Sequence, residues 1–223
     1  QSAVGRARSF EATVHEYDLG YAVEGTPVDC VIAGVEALCP DVDVVVAGCN
    51  KGANLGSYVM GRSGTVSAAV EATFFDVPAI AVSQYVPTTD DEEFESISPP
   101  KEAYTDACDA AAYLVEESLG SGVFAEADYL NVNAPAPDEH DGRPPMTVTE
   151  PSPLYAMSAE FDGETIRLED NIWQRMQTGE IPDENGTDRR AVVDGEISVS
   201  PLAAPHSVER HDRLDELAAL YAE

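Results

Sequence analysis

The chain has 223 residues, enough for one large domain or for one domain with an appendage, and its 43% of hydrophobic residues can build a sizeable core. Its 42 acidic residues outnumber 12 Lys and Arg residues and give a formal net charge of −30, which repels nucleic-acid backbones and anionic membranes. The composition therefore excludes a chain that is disordered throughout, and it argues against nucleic-acid polymers as partners.

The acidic residues are spread among apolar periodic segments, and only Asp90-Asp91-Glu92-Glu93 forms a tight run. A folded domain with so acidic a surface repels itself, and a Debye length of about 3 Å at 1 M salt removes most of that repulsion. The chain has only two lysines, Lys51 and Lys101. The composition predicts a halophilic protein, and the alternative is an ordinary acidic protein from a low-salt cell.

Two further features bear on where the protein works. No apolar run approaches the roughly 20 residues that span a membrane, and no charged-then-apolar leader opens the chain. The cysteines lack Cys-x-x-Cys spacing and stand in apolar surroundings, so we expect buried, reduced thiols. They are Cys30, Cys39, Cys49 and Cys108. A soluble, cytoplasmic protein with no membrane partner is the expectation.

Short β-rich runs alternate with longer helical patterns up to residue 135. Strands are predicted at 42–47, 78–83 and 129–133, the first two as near-continuous apolar runs typical of strands buried on both faces. Helices are predicted from Pro27 to about residue 38, from Ser63 to Phe75, and over 102–119. An alanine-rich face on the second helix should pack close to the sheet. The alternation predicts an α/β fold, with a Rossmann-like, mostly parallel sheet flanked by helices.

The character of the sequence changes after residue 135. A Pro-rich and acidic linker is followed by β-like runs, with turns at Asp162-Gly163 and Asn185-Gly186, and by an amphipathic helix over 208–221. We therefore predict a core over 1–135 and a C-terminal β-hairpin and helix extension over 136–223. The extension is expected to pack either on a partner subunit, giving a homodimer or homotetramer, or on its own core.

The segment most informative about chemistry is Gly48-Cys-Asn-Lys-Gly-Ala-Asn-Leu-Gly56, followed by Ser63-Gly64-Thr65. It leaves the carboxyl end of a buried strand and enters a helix, which is where open α/β sheets bind ligands. Glycines let the backbone approach an anion, and a helix N-terminus presents N–H groups to phosphate. The spacing matches neither G-x-G-x-x-G nor the P-loop, so a structural turn before a capped helix is an equal alternative.

The same segment, read with its neighbours, closely resembles the G-x-N-x-G-x-N-x-G … S-G-T-V-x-A-A-x-E block of the SurE family. Four further segments resemble SurE landmarks in the right order. They are Gly25-Thr-Pro-Val-Asp-Cys30, Leu130-Asn-Val-Asn133 with Pro135, Gly186-Thr-Asp188 and Val199-Ser-Pro-Leu202. The resemblance covers nearly the whole chain.

The resemblance implies a metal-dependent phosphatase that hydrolyses nucleoside 5′- and 3′-monophosphates, with polyphosphate as a further substrate of some members. It implies a divalent cation, Mg²⁺ or Mn²⁺, with Ser2 and Asn50 among its ligands. Asn54, Ser63, Gly64 and Thr65 are expected to bind the phosphate. The family's two consecutive aspartates after the first strand have no counterpart here, so the catalytic residues are unknown. We expect that a strand–helix–strand unit of about 30 residues is missing before Gln1.

The alternative hypothesis is a non-catalytic nucleotide-binding or assembly protein of the same fold that lacks the metal-binding aspartates. An in-frame upstream strand ending in Asn-Asp-Asp-Gly would favour the enzyme. A nicotinamide-dependent Rossmann enzyme is disfavoured, because its fingerprint is not visible.

Outside the main block, three single residues and the histidines also bear on function. Arg62 either steers an anionic substrate or faces solvent, and Asp188 either serves the substrate pocket or a turn. Trp173 is expected to pack in the arm rather than to stack on a base. The histidines show no metal-ligand spacing. They are His15, His140, His206 and His211.

Overall fold

The computed structural model describes residues 11–88, 94–137 and 142–204. Several predicted features lie outside these ranges: Ser2, the acidic run 90–93, three of the four histidines and the helix at 208–221.

The strands of the described ranges are β1 (Val14–Tyr17), β2 (Gly20–Val23), β3 (Val45–Lys51), β4 (Ala79–Gln84), β5 (Tyr129–Ala134), β6 (Met146–Val148), β7 (Met157–Phe161), β8 (Ile166–Asp170) and β9 (Ile197–Leu202). The α-helices are α1 (Pro27–Ala33), α2 (Ser57–Met60), α3 (Gly64–Thr73), α4 (Thr105–Ser118), α5 (Asn171–Thr178) and α6 (Asp188–Val193). A π-helical turn, Gly34–Leu38, extends α1.

A five-stranded sheet in the order β3-β4-β5-β9-β6 forms the centre of the fold. Strands β3, β4 and β5 run parallel, β9 is antiparallel to β5, and β6 is parallel to β9. Alternate residues of β4 face opposite layers: Ala79 and Ala81 pack with α3, whereas Ile80 and Val82 pack with α4. The α/β prediction, a mostly parallel sheet covered by helices, is confirmed.

The predicted strands of the core are present, with one change of boundary. The strands predicted at 78–83 and 129–133 correspond to β4 and β5, which are buried along their whole length. The strand predicted at 42–47 lies three to four residues later, as β3, because its pairing with β4 continues through Asn50 and Lys51. The candidate site therefore begins inside a strand and not after it.

The helix starts follow their capping residues. At α1, Thr26 Oγ1 accepts the Asp29 N–H at 3.3 Å while Asp29 Oδ2 accepts the Thr26 N–H at 2.9 Å, which is a complete capping box. At α3, Ser63 Oγ accepts the Val66 N–H at 3.1 Å. The alanine-rich face of α3 is buried against the sheet, as predicted; Ala69 has 0% exposure.

The extension supplies two strands to the central sheet, because β6 and β9 both follow residue 135. Its turn at Asp162-Gly163 joins β7 to β8, as predicted, in a separate two-stranded sheet. The Asn185-Gly186 turn does not join two strands, which corrects the prediction: Thr187 leads directly into α6, and the acidic residue Asp188 stands in its first turn.

The expectation about the cysteines is half correct. All four are free thiols, but Cys30, Cys39 and Cys108 are exposed and only Cys49 is partly buried. Burial raises the pKa of the Cys49 thiol to about 12, so it stays protonated at neutral pH. Exposure of Cys30 and Cys39 follows from their position on α1 and just after its π-helical turn, beside the edge strand β3. Among the described helices, none is long and apolar enough to cross a bilayer.

Candidate active site

The glycine-rich loop, residues 48–56, lies at the carboxyl edge of the parallel strands. The Gly52 N–H donates to the Gln84 carbonyl at 3.0 Å and so extends the pairing with β4. Gly52 has a φ of +100°, and a Cβ there would stand 2.7 Å from the Phe94 ring. Glycine is required at this position both by the backbone conformation and by the ring beside it.

Asn54 anchors the middle of this loop to the neighbouring strands. Its N–H donates to Asn133 Oδ1 at 2.7 Å, its carbonyl accepts Asn131 Nδ2 at 2.9 Å, and its own Nδ2 donates to Ser83 Oγ at 2.7 Å. Asn54 is 5% exposed and the three partners are fully buried. These bonds fix the loop in one conformation, because each replaces a solvent contact that a buried polar group has lost.

Asp188 anchors the end of the loop. Its Oδ2 accepts the Gly56 N–H at 2.7 Å, and its Oδ1 accepts the Ser152 N–H at 2.9 Å and the Arg189 N–H at 2.8 Å. Burial raises the pKa of Asp188, and the three N–H donors and the Arg189 charge oppose that rise. Asp188 thus ties the loop to the extension and is not exposed at a turn, and its role at the substrate pocket stays a prediction.

Arg189 completes this anchor from inside the protein. It is fully buried, and its Nη1 donates to the Leu154 carbonyl at 3.1 Å and lies 3.5 Å from Asp183 Oδ1. A Cβ at Gly56 would stand 2.0 Å from Arg189 Nη2. The third glycine of the loop therefore makes room for the guanidinium. We call Gly56, Asp188 and Arg189 the Asp188 clamp.

Asn50 stands where the loop leaves β3, and it is only partly buried. Its Nδ2 donates to the Gly52 carbonyl at 2.7 Å, and no donor among the described residues reaches its Oδ1. This hydrogen bond from Nδ2 fixes the orientation of the Asn50 amide plane. The carbonyl oxygen Oδ1 is thus the atom that Asn50 can offer to a cation or to a donor on a substrate.

The start of α3 lies close to Asn50. An open trough of about 570 Å³ between α1, β3 and α3 is lined by both Asn50 and Thr65. The first N–H groups of α3, those of Gly64 and Thr65, have no acceptor within the helix. The Ser63 hydroxyl accepts the Val66 N–H as a cap, and its own proton remains available to an anion. The predicted residues Asn50 and Thr65 are therefore brought together.

A second space, the aromatic cavity, is also lined by Asn50. Its volume is about 400 Å³. Asn50 and Asn54 line one part of it, and Tyr85, Phe94 and Trp173 line another. Trp173 also packs against a buried cluster that includes Ile172, so its expected packing role and a position at the cavity coexist.

A metal site is incomplete in the described part of the chain. There, no group of three His, Cys, Asp or Glu side chains could hold an ion. Asn50 offers one oxygen, whereas a hard divalent cation takes about six oxygen ligands, only some of them water. The described residues alone do not fit a divalent cation.

Arg62 and His15 lie apart from both spaces. Arg62 is exposed, and its guanidinium lies 5.2 Å from the centre of the Tyr58 ring. His15 stands on the β1–β2 hairpin, 2.8 Å from Glu24 Oε1. Tyr58 donates its hydroxyl to Asp170, which caps α5, and burial raises the tyrosine pKa. The steering role suggested for Arg62 stays a prediction.

The comparison with protein families decides the identity of this fold. The family model described as Survival protein SurE matches residues 1–153. The chain belongs to the SurE family. The glycine-rich loop lies within the matched range.

Relatives of this SurE chain are similar along nearly all of its length. The 5′-nucleotidase SurE of Haloarcula marismortui is 61% identical over 99% of this chain and 81% of that protein. That of Haloquadratum walsbyi is 59% identical over 99% of this chain and 83% of that protein. The crystal structure of the SurE protein from Aquifex aeolicus aligns with a TM-score of 0.65 and 28% identity, covering 99% of this chain and 84% of that one.

Three residues that shape this SurE site escaped the reasoning from sequence. The family resemblance marks Asn131 and Asn133 as landmarks without implying a role for them, and Arg189 lies outside the motifs of the sequence. The signal for the asparagines was present: two amides at i and i+2 of a buried strand lie on one face and need partners there. Arg189 offered no such signal, because a single arginine near a turn is ordinarily exposed.

Proposed function

We propose that this protein hydrolyses nucleoside 5′-monophosphates to nucleoside and phosphate. The observation that carries the proposal is the identity of about 60% to haloarchaeal proteins named 5′-nucleotidase SurE over 99% of the chain. The site supports it, since Asn50, near the carboxyl end of β3, and Thr65, in the first turn of α3, line one open trough.

Most of the trough lining is apolar, and the polar groups at and beside its Asn50 and Thr65 end suit a phosphomonoester. Water adds to phosphorus as the ester P–O bond breaks, and the leaving nucleoside oxygen takes up a proton. Negative charge on the non-bridging oxygens is stabilised by the N–H groups of Gly64 and Thr65 and by the Ser63 hydroxyl. Asn54 contributes by fixing the loop, and direct contact of its amide with phosphate is a further part of the proposal.

We also propose that the reaction needs a divalent cation, Mg²⁺ or Mn²⁺. Asn50 Oδ1 and the Ser2 hydroxyl are the proposed ligands within the chain, since oxygen donors suit hard cations. Hydrolysis of nucleoside 3′-monophosphates and of polyphosphate is proposed on the resemblance alone.

The test is phosphate release by the protein expressed from its complete reading frame, in multimolar KCl. The substrates are nucleoside 5′-monophosphates, nucleoside 3′-monophosphates and polyphosphate, each with Mg²⁺, Mn²⁺ or EDTA. We expect the 5′-monophosphates to be hydrolysed with either metal and not with EDTA. Tight nucleotide binding without any phosphate release would instead establish the non-catalytic binding protein.

We propose that the protein is halophilic. Among the described residues, the buried acidic ones are Asp29, Asp183 and Asp188, and the other described acidic residues are at least partly exposed, so the surface carries an excess of negative charge. Salt screens that repulsion in the folded state. We expect the midpoint of thermal unfolding to rise by 10 °C or more, as an order of magnitude, between dilute buffer and multimolar KCl. A midpoint that is unchanged or lower in KCl would contradict the proposal.

We propose that residues 136–223 assemble the protein into a homodimer or homotetramer. The β7–β8 hairpin supports this, since Phe161, Ile166 and Leu168 are each more than 60% exposed on it. Exposed apolar patches of this kind mark association surfaces. Light scattering in multimolar KCl gives the mass directly, and a monomer would refute the proposed assembly.

A further inference from the structure

The aromatic cavity is a second space that reaches the proposed site without belonging to the phosphate end. Asn50 lines both the cavity and the trough that holds Thr65. A single ligand can therefore place an anionic group at Asn50 in the trough and a second, bulkier group in the cavity. The volume of about 400 Å³ lies in the range of small-molecule sites.

The walls of the cavity are held before any ligand binds. Lys51 Nζ donates to the Phe94 carbonyl at 2.8 Å and to the Ile97 carbonyl at 2.9 Å, and it lies 4.6 Å from the centre of the Phe94 ring. Tyr85 is 3% exposed, and its N–H donates to the Ala134 carbonyl at 2.9 Å. Two aromatic walls are therefore fixed by the strands and the loop.

The third wall is carried by α5. Ile172 and Met176 of this helix are buried in a cluster with Leu55 of the glycine-rich loop. Asp170 caps the helix through the Ile172 N–H at 3.2 Å. Trp173 is thus presented to the cavity from a helix that is anchored at both its start and its buried face.

The charge of the cavity distinguishes between possible occupants. Among the described residues that line it, Lys51 is the cationic one, and its ammonium already serves backbone carbonyls. Among these described walls, no other cationic side chain is available to bind the further phosphates of a polyphosphate. The formal net charge of −30 on the protein would also repel them. A neutral planar ring suits three aromatic side chains, because every nucleobase has a π-face that stacks on them.

We propose that the aromatic cavity binds the nucleobase of the substrate, against Trp173 and Phe94, while the phosphoester lies at Asn50. This inference rests on the proposed nucleotidase function, which it refines: the substrate class is a mononucleotide in preference to polyphosphate. Lys51 acts as a positioning residue, since it holds the Phe94 wall against Gly52. Stacking depends little on which base is present, so we expect purine and pyrimidine nucleotides both to bind.

Trp173 reports on the cavity directly, because it is the only tryptophan of the 223 residues. Adenosine, which has no phosphate, is titrated into the protein in multimolar KCl, with ribose 5-phosphate as the matched ligand that has no base. We expect saturable quenching of tryptophan emission by adenosine, corrected for absorbance with free N-acetyltryptophanamide, and none by ribose 5-phosphate. No quenching of tryptophan emission by adenosine, or equal quenching by ribose 5-phosphate, would overturn the proposal.

Kinetics separate this inference from the proposed function. For Trp173→Ala we expect the KM for nucleoside monophosphates to rise roughly tenfold. Release of phosphate from ribose 5-phosphate should be unchanged, and Trp173→Phe should restore the KM. Gln174→Ala, on the exposed side of the same helix, is the matched control.

Two outcomes are decisive. Equal losses on nucleotide and ribose 5-phosphate would mean that Trp173 is merely structural, and the inference would fail. If Trp173→Ala does not fold, Phe94→Leu carries the same comparison. Adenosine quenching in a protein that releases phosphate from neither substrate would support the cavity and refute the phosphatase.

Discussion

Replacing Asn50 with alanine is expected to lower kcat/KM for nucleoside 5′-monophosphates by roughly 100-fold or more, the size of effect that follows loss of one polar group at a reacting centre. The amide nitrogen of Asn50 is held by the Gly52 carbonyl at 2.7 Å, and this fixes the direction of Oδ1. Stability should change by less than about 1 kcal/mol, because the lost hydrogen bond lies within a partly exposed loop.

The control for this prediction is Asn185→Ala, an asparagine in an exposed turn remote in sequence from the loop. Both variants are assayed for phosphate release and for urea unfolding in the same KCl concentration. If Asn50→Ala keeps kcat/KM within threefold of the unaltered protein, Asn50 does not act at the reacting centre.

Replacing Asp188 with alanine is expected to lower the free energy of unfolding by roughly 3–5 kcal/mol. Three backbone N–H groups, of Gly56, Ser152 and Arg189, lose their acceptor, and the buried Arg189 guanidinium loses a neighbouring negative charge. The loop end at Gly56 is released as well, so activity should fall even where the protein remains folded.

The matched control is Asp194→Ala in the residue that follows α6. Asp194 is exposed and pairs with Arg190 one helical turn earlier, and such surface pairs contribute about 0–1 kcal/mol. Urea unfolding monitored by circular dichroism measures both variants. Equal losses of stability would show that Asp188 is not a clamp.

The sequence was sufficient for features that depend on neighbours along the chain. The capping residue Thr26 with Asp29, the cap Ser63 and the apolar run of β4 each specify an element locally, and the structure contains all three. The position of β9 in the central sheet could not be predicted from the sequence. Alternation in Ile197–Leu202 indicates a strand, but it does not specify the strand with which β9 pairs.

In the candidate site, too, the features specified by neighbouring residues were predictable and those that depend on distant contacts were not. Glycine spacing and the cap at Ser63 located the loop and the helix start, because a phosphate site needs those residue types in series. The Asp188 clamp joins residues 132 positions apart, Gly56 and Asp188, and no local pattern specifies such a contact. Trp173 enters the cavity through the packing of α5, a helix that the β-like reading of the extension missed.

The measurement that most directly tests the nucleotidase is steady-state phosphate release from a nucleoside 5′-monophosphate in multimolar KCl, with Mn²⁺ and then with excess EDTA. The protein comes from its complete reading frame and is confirmed as folded by circular dichroism in both conditions. We predict turnover with Mn²⁺ that EDTA abolishes and added Mn²⁺ restores. Undiminished turnover in EDTA, or none with any divalent cation, would contradict the account.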